Sequence, residues 1–274
     1  MKAVYSIVFV AVFLVLFTEK SVAQEYYQAS ARSKSLAGVS VCLADGWSAF
    51  GNQAGLSVTE YPLLGISYSN YFFLKELSLK SALGVIPVDG NVFAVSFYQY
   101  GNEAYNENKC GIAYSKKLAP GFSAGLQFNY FFISLPENDK SHGDFCFEGG
   151  IQYQFSEKIL VGMHCYNPFQ SGIRTESYKY KLPCLFRFGF STRIADELWL
   201  YGEIEKDFKH DLLSRFGLEY RIFSNFQLRG GIAGKNNLVS MGIGYSFKHI
   251  VTDFSWQYNY RLGSTPSLSI TYQL

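Results

Sequence analysis

Between residues 63 and 274 the chain alternates large apolar side chains with small or polar ones, in segments separated by turn residues. This period of two is the spacing of a β-strand that has one apolar face. The segments run to about ten residues, which is enough to cross a lipid bilayer as a tilted strand. The pattern therefore limits the chain to an all-β architecture.

Fourteen such segments can be counted, and an even number of strands is typical of a closed single-chain barrel. One face of most segments carries aromatic and aliphatic residues, whereas the opposite face carries charge and glycine. The polar face is then the enclosed one, so we predict a transmembrane antiparallel β-barrel of about 14 strands over residues 63–274. A soluble β-sandwich or a lipocalin-like barrel is the alternative.

Two details of the strand assignment follow from the same alternation rule. In the second segment, the residues assigned to the outward face are Leu77, Leu79, Leu83 and Val85, and those assigned to the lumen are Lys80, Ala82 and Gly84. Because proline cannot donate to a strand ladder, all seven prolines are expected at strand ends or in connections.

The composition favours strands over helices as the membrane-spanning elements. Aromatic residues make up 18% of the chain, and Tyr and Phe favour both strands and membrane interfaces. After residue 23 no apolar run approaches the roughly 20 residues that a membrane helix needs. The formal net charge of +2 gives no indication of nucleic acid as a partner.

Residues 1–23 have the features of a secretory signal peptide. Lys2 precedes an apolar core over residues 3–17, and Ser21-Val22-Ala23 forms a small-residue cleavage pattern. An uncleaved anchor helix is the alternative. With a signal peptide followed by a barrel of strands, we expect the protein in the outer membrane of a Gram-negative bacterium, in contact with outer-membrane lipid.

Residues 24–62 lie between the leader and the first alternating segment and do not alternate themselves. We predict that they plug the lumen, because a barrel of about 14 strands is too wide for its own side chains to fill easily. Glycines on the inward face would make room for this second layer, although they would also help the wall to curve. The inward glycines in this assignment are Gly65, Gly84, Gly111, Gly125, Gly150, Gly189, Gly217, Gly242 and Gly244.

Short motifs in the predicted plug carry a family resemblance. They are Ala31-Arg32, Leu36-Ala37-Gly38, Ala44-Asp45 and Asn52-Gln53-Ala54-Gly55-Leu56. Through them, residues 31–56 resemble the N-terminal region of the family that groups the fatty-acid transporter FadL with the type IX secretion proteins PorV and PorQ. Gln53 stands where the family usually has proline. The resemblance implies a 14-stranded barrel with the N-terminal segment folded into the lumen.

The same resemblance implies two functions. The downstream strands look closer to the PorV and PorQ branch, which implies an outer-membrane partner of a protein-secretion machinery of the type IX kind. The alternative, implied by the resemblance to FadL, is a passive transporter of small hydrophobic compounds across the outer membrane. Trp47 and Phe50 in the predicted plug are candidate contacts for such a ligand or for the lumen wall.

Charged residues concentrate on the inward face of the later segments. Counting registers through the short turns places Arg187 opposite Glu205 and Glu205 roughly opposite Arg215, which predicts a ladder across three neighbouring strands. Buried charges persist only when they are paired, so we interpret the ladder as an ion-paired wall that docks the plug, with a ligand-selective filter as the alternative. Asp45 and Asn52 are expected to tie the plug to the inward arginines.

No motif indicates catalysis or metal binding. The four histidines are assigned mostly to connections or strand ends, where we expect them to be solvated, and no nucleophile elbow or metal-ligand spacing accompanies them. We therefore predict no enzymatic activity, no catalytic or metal-binding residue and no cofactor. The five cysteines are interpreted as small apolar wall residues, with a disulfide between Cys165 and Cys184 as the alternative for that pair.

Overall fold

The computed structural model describes residues 27–135, 140–174, 179–207, 211–234 and 238–274. The predicted signal peptide lies outside the described residues. The strands are β1 (Leu63–Asn70), β2 (Ser78–Val88), β3 (Asn91–Gly101), β4 (Asn106–Ala119), β5 (Phe122–Leu135), β6 (Lys140–Ser156), β7 (Ile159–Tyr166), β8 (Gly172–Arg174), β9 (Lys179–Lys181), β10 (Leu185–Ala195), β11 (Leu198–Asp207), β12 (Leu213–Phe223), β13 (Phe226–Ala233), β14 (Leu238–Phe247), β15 (Ile250–Asn259) and β16 (Gly263–Gln273).

Fourteen of these strands close into one antiparallel barrel, which confirms the predicted architecture. Consecutive strands are neighbours except that β7 pairs with β10, because β8 and β9 form a separate hairpin in the connection between them. The ring closes between β1 and β16, where Leu63 lies opposite Gln273. Every strand of the barrel therefore has two neighbours, so the sheet has no open edge.

The two ends of the barrel differ in the length of their connections. At one end all six connections are two-residue turns, such as residues 89–90 and 224–225. Short turns face the periplasm in outer-membrane barrels, so we call this end the inner rim and the opposite end the outer rim. At the outer rim the connection between β3 and β4 is also short, because β3 continues to Gly101 and β4 begins at Asn106.

The outward face of the wall is apolar and the inward face is largely polar, as the alternation predicted. Outward residues such as Leu126 and Ile112 are 68% and 65% exposed, whereas inward residues such as Gln127 and Asn129 are buried. An apolar outer band of this kind is suited to contact with lipid tails. Among the described residues no helix is long and apolar enough to cross a membrane.

Strand β2 is the exception, and its predicted orientation is wrong. Leu79, Leu83 and Val85 are buried inside the barrel, whereas Lys80 faces outward. The register agrees, since Leu83 lies opposite the inward Gly65 of β1. The reason is the plug: its apolar side rests against this part of the wall, so here the apolar residues face the lumen.

The expectation for the prolines also needs one correction. Pro266 lies within β16 and is paired with Trp256 of β15. On its other side the ladder between β16 and β1 reaches only to Ser267, which pairs with Ser69. Pro266 is tolerated because β16 has a single hydrogen-bonded neighbour at this level.

Residues 27–57 lie inside the barrel as a plug, and from Ala29 to Ser57 almost every residue is buried, whereas residues 58–62 lead to β1 and are largely exposed. The α-helix α1 (Ala31–Ser35) begins at the N-cap Ser30, and two 3₁₀ helices follow at Gly46–Phe50 and Gln53–Val58. After α1 the chain turns back through Ala37 and Gly38, both of which have positive φ. Glycine adopts this conformation without strain, which explains the Gly of the Leu-Ala-Gly motif.

Candidate functional site: a plugged lumen with an apolar and a charged side

Asp45 organises the middle of the plug. Its Oδ1 accepts a hydrogen bond from the Trp47 backbone N–H at 2.9 Å, and Ser48 completes a capping box. Its Oδ2 accepts a hydrogen bond from Arg32 Nη1 at 2.8 Å. Asp45 therefore caps one plug helix and holds the other plug segment against it, as an N-cap carboxylate does.

Asn52 joins the plug to the wall through backbone groups. It caps the second 3₁₀ helix by accepting a hydrogen bond from the Ala54 N–H. Its Nδ2 donates to the Val41 carbonyl at 2.9 Å within the plug and to the carbonyls of Ile151 and Met163 in the wall at 3.1 and 3.3 Å. One amide thus spans two plug segments and two strands.

The expectation that Asp45 and Asn52 contact inward arginines of the wall is wrong. Asp45 pairs with Arg32, which belongs to the plug, and Asn52 contacts carbonyl groups. Both side chains are short polar residues at N-caps, so they stay close to the helix that they begin and do not reach the inward arginines. Arg32 is the arginine of the plug that binds the wall.

The other residues of the Asn52–Leu56 motif pack closely within the plug. Ala54 and Leu56 are fully buried. A Cβ on Gly55 would collide with the Leu43 carbonyl oxygen and with Ser48, so only glycine fits there. Gln53 is the first residue of its helix, a position that also suits proline, so its replacement of the family's proline preserves the local turn.

Trp47 and Phe50 contact the wall and each other. Their rings stack with centroids 6.0 Å apart, and both side chains are buried. The Trp47 Nε1–H donates to Thr271 Oγ1 of β16 at 2.9 Å. Their position is that of apolar anchors of the plug.

Trp47 and Phe50 belong to a connected group of buried apolar residues that extends through the lumen. We call this group the apolar lumen cluster. At the inner rim it includes Leu63, Val85 and Val92, and toward the outer rim it includes Leu79, Phe131, Ile133, Ile173 and Leu182. The last two lie in the connection that carries the β8–β9 hairpin, so this connection covers the outer end of the cluster.

Tyrosines gather at the outer end of this cluster. The ring of Tyr27 stacks on Tyr100 with centroids 4.2 Å apart and meets Tyr98 and Tyr71 edge to face at 5.6 and 6.4 Å. Burial raises the pKa of Tyr27, so its hydroxyl stays neutral. We call these four packed rings the tyrosine cluster.

The opposite side of the lumen is charged, and the predicted ladder residues lie there. Arg187 is opposite Glu205 in the register, as predicted. Glu205 is opposite Leu213, however, and Arg215 is opposite Glu203, so the predicted second step is displaced by two residues. Arg215 still reaches Glu205 diagonally, with Nη2 at 3.1 Å from Oε2.

Glu203 is the residue that connects this wall to the plug most directly. Its Oε2 accepts hydrogen bonds from the backbone N–H groups of Ser40 and Val41 at 2.7 and 2.9 Å, and its Oε1 lies 3.0 Å from Arg215 Nη1. Arg187 adds a hydrogen bond to the Ser40 hydroxyl at 2.9 Å. Alternation identified Glu203 as inward, but only the structure reveals the plug N–H groups beside it.

A second connection runs through Arg32. Its guanidinium donates two hydrogen bonds of 3.0 Å to Glu219 of β12. Glu219 is also bound by Arg229, which in turn binds Asp253 at 2.6 Å. Burial lowers the pKa of Arg32, but the charges of Glu219, Tyr201 and Asp45 and the hydrogen bonds to Glu219 together outweigh burial and raise the pKa, so the bidentate pair stays charged.

A buried cluster of charge was missed altogether. Lys109 Nζ donates to Glu148 Oε1 at 2.9 Å, and His164 lies with Nε2 at 3.3 Å from Glu148 Oε2 and Nδ1 at 2.9 Å from Arg187. His164 is therefore buried within β7, and the expectation of a solvated histidine is wrong for this residue. The alternation of β4, β6 and β7 places all three side chains inward and could have identified them.

All five cysteines lie among the described residues and are free thiols, including Cys165 and Cys184. Cys42 is buried in the plug, and burial raises the pKa of its thiol, so it remains protonated. It therefore behaves as a small apolar residue.

No protein-family model matches the chain, and no curated protein matches its sequence. Among solved structures, the toluene transporter TodX of P. putida superposes with a TM-score of 0.70 at 10% identity, covering 90% of this chain and 98% of TodX. The CymD monoaromatic hydrocarbon channel gives 0.67 at 12% identity, covering 92% and 99%. A Pseudomonas aeruginosa FadL homologue gives 0.62 at 12% identity, covering 89% and 98%.

The fold is that of the FadL-type barrels. The predicted 14-strand barrel architecture is thereby confirmed. The three structures are named as a transporter, a channel and a FadL homologue, and the narrower assignment to PorV and PorQ receives no support from them.

Proposed function

We propose that the protein is an outer-membrane transporter through which small hydrophobic compounds pass. The observation that carries this proposal is the apolar lumen cluster. Membrane barrels ordinarily have polar interiors, since the lumen is in contact with water. A connected set of apolar side chains that extends from Leu63 and Val92 near the inner rim to Ile133 near the outer rim is suited to a solute that avoids water.

The plug contacts the wall through polar groups on one side and apolar groups on the other, which supports the same function. On the charged side, Glu203, Arg187 and Glu219 hold the plug through hydrogen bonds and ion pairs. On the apolar side, Trp47 and Phe50 meet the wall mainly through nonpolar contacts, which are not directional and reform after a ligand passes. We propose that these two side chains line the ligand's route, whereas Asp45 and Asn52 maintain the shape of the plug.

The similar structures are named as a toluene transporter and a monoaromatic hydrocarbon channel, which favours transport over a role in secretion. The tyrosine cluster at the outer end of the lumen suits contact with a flat ring, since aromatic pairs prefer the stacked and edge-to-face geometries that Tyr27 adopts there. No contact among the described residues favours a secretion partner.

A polar substitution on the apolar route tests the proposal. Leu79 is fully buried in the cluster near the outer rim, and Leu79→Asn would place an amide in the path of an apolar solute. We expect the initial rate of toluene uptake to fall roughly tenfold, because an amide transferred into apolar surroundings costs on the order of 2 kcal/mol. Uptake of radiolabelled toluene is measured in cells that lack their own toluene channel.

Leu79→Met is the matched control, because it preserves volume and apolar character and should leave uptake close to that of the unchanged protein. Both variants are first checked for the heat-modifiable electrophoretic mobility of a folded barrel. If cells with the unchanged protein take up toluene no faster than empty-vector cells, or if Leu79→Asn takes it up at the same rate, the proposal is wrong.

A further inference from the structure

The inward face of β16 consists entirely of hydroxyl side chains over most of the barrel's height. From the outer rim to the inner rim these are Thr265, Ser267, Ser269 and Thr271, and all four are buried. Ser67 and Ser69 of β1 lie opposite Ser269 and Ser267. Ser255 of β15 lies opposite Ser267 on the other side. We call these seven residues the hydroxyl stripe.

The residues at the ends and along one edge of the stripe are hydrogen-bonded. Thr265 accepts from the Phe72 N–H at 3.4 Å, and Thr271 accepts from Trp47 at 2.9 Å. Ser69 accepts from Lys34 at 2.6 Å, and Ser67 donates to a plug carbonyl at 2.6 Å.

The middle of the stripe is different. Within the described part of the chain, the hydroxyl oxygens of Ser255, Ser267 and Ser269 have no hydrogen-bond partner. These side chains are 0%, 3% and 1% exposed, so they face the plug without contact with water. Buried hydroxyl groups are nearly always satisfied, because burying one without a partner is unfavourable. Three unsatisfied hydroxyl groups side by side therefore favour a conformation of the plug in which water can hydrogen-bond to them.

The neighbouring strand β14 shows that the plug satisfies hydroxyl groups where it is firmly held. Ser240 is 3% exposed, accepts a hydrogen bond from the Ala37 N–H at 2.8 Å and donates to the Ser35 carbonyl at 2.9 Å. Farther around the wall, Glu203 and Glu219 bind the plug. The plug is thus fastened from β11 to β14. On β15 and β16 it is held at the two ends, where Gln257 donates to the Lys34 carbonyl at 3.1 Å and Trp47 donates to Thr271, and the three unsatisfied hydroxyls lie between these points.

We propose that the plug separates from the wall along the hydroxyl stripe, and that the space so opened conducts water and small uncharged polar solutes. This activity is distinct from the passage of hydrophobic compounds, which uses the apolar lumen cluster. Hydration of the three serine hydroxyls favours the open state, while the ion pairs on the opposite side keep the plug in the barrel. Uncharged solutes are favoured because the nearest carboxylate, Asp253, is already bound by Arg229.

The test compares the triple variant Ser255→Ala, Ser267→Ala, Ser269→Ala with Ser240→Ala in proteoliposomes. Removing the three unsatisfied hydroxyls stabilises the closed state, so the thermal midpoint of the barrel is expected to rise by roughly 2–4 °C. Glycerol-driven liposome swelling is expected to slow about tenfold. Ser240→Ala loses hydrogen bonds to the plug, so its midpoint is expected to fall without any slowing of swelling.

Swelling of the triple variant at the rate of the unchanged protein would overturn the proposal, as would a lowered midpoint or unchanged protein that swells no faster than protein-free liposomes. Toluene uptake reports separately on the hydrophobic route and is expected to be unaffected by the triple variant.

Cysteine labelling gives a second readout that does not depend on stability. Ser269→Cys and Ser240→Cys are treated in liposomes with a membrane-impermeant methanethiosulfonate, and adducts beyond those of the five native cysteines are counted by mass. We expect Ser269→Cys to react at least about tenfold faster. Equal rates, or faster reaction at position 240, would contradict separation along the stripe.

Discussion

Substitution of Gly125 by valine is expected to displace the plug from its position in the lumen, so that the barrel conducts ions. A Cβ at this position of β5 would lie 2.6 Å from the Gln53 carbonyl oxygen and 2.7 Å from the Ala54 nitrogen. These are backbone atoms of a capped helix, which cannot rotate away as a flexible side chain would. The added side chain is therefore expected to destabilise the contact between plug and wall by about 1–3 kcal/mol. The strand itself stays in place because it is hydrogen-bonded to two neighbouring strands.

The measurement is ion conductance of single barrels in planar bilayers, with growth in the presence of a large antibiotic as the cellular readout. We expect large, long-lived openings for Gly125→Val and increased antibiotic sensitivity. Gly84→Val is the matched control: this glycine faces outward, and its nearest neighbours, Leu64 and Val95, are 3.5 Å from the added Cβ. Closed Gly125→Val barrels would mean that the inward glycines serve wall curvature and do not make room for the plug.

Truncation of Glu203 is expected to have the second large effect. Glu203→Ala removes the partner of two plug N–H groups and one of the partners of Arg215. Breaking a buried, hydrogen-bonded ion pair by removing one member typically costs about 3–5 kcal/mol. We expect frequent brief openings in bilayer recordings and a thermal midpoint lowered by several degrees.

Glu203→Gln separates charge from hydrogen bonding. Its amide oxygen still accepts from the plug, while the ion pair with Arg215 is lost, so an intermediate effect is expected. Glu205→Gln should have the smaller effect, because this side chain is partly exposed, at 14%, and its ion pairs join it to Arg187 and Arg215 of the wall. Equal behaviour of Glu203→Ala and Glu205→Gln would show that Glu203 does not fasten the plug.

The architecture of the barrel was readable from the sequence because alternation is a local property. Leu126 and Gln127 are neighbours on one strand and differ in polarity, so one can be assigned to the outward face and the other to the inward face. The rule failed at β2, where Leu79, Leu83 and Val85 face the lumen. Their orientation is decided by the plug, which is distant in sequence, and alternation by itself does not tell which of two faces is enclosed.

The plug contacts were harder to predict for a related reason. Asp45 and Asn52 were identified by motif, and both lie in the plug, yet their partners are an arginine of the plug and carbonyl groups of the wall. Which plug atom meets which strand depends on how the turns at Ala37 and Gly51 stack, and no local pattern reports this. Nothing in the sequence distinguishes Arg32 and Glu203 from other charged residues. Their role follows from their partners in the folded chain, which are Glu219 for Arg32 and plug N–H groups for Glu203.

The ladder between β1 and β16 also dictates an order of assembly. It joins residues from the two ends of the barrel sequence, with Leu63 opposite Gln273, so forming it before the intervening strands pair would carry the largest loop-closure entropy cost of any strand pair. The plug directly precedes β1, and its backbone rests against glycines such as Gly125 and Gly231 without room for a methyl group. A closed ring would have to stretch to admit it. The N-terminal segment is therefore enclosed while the sheet is still open, and the seam between the first and last strands is the last to close.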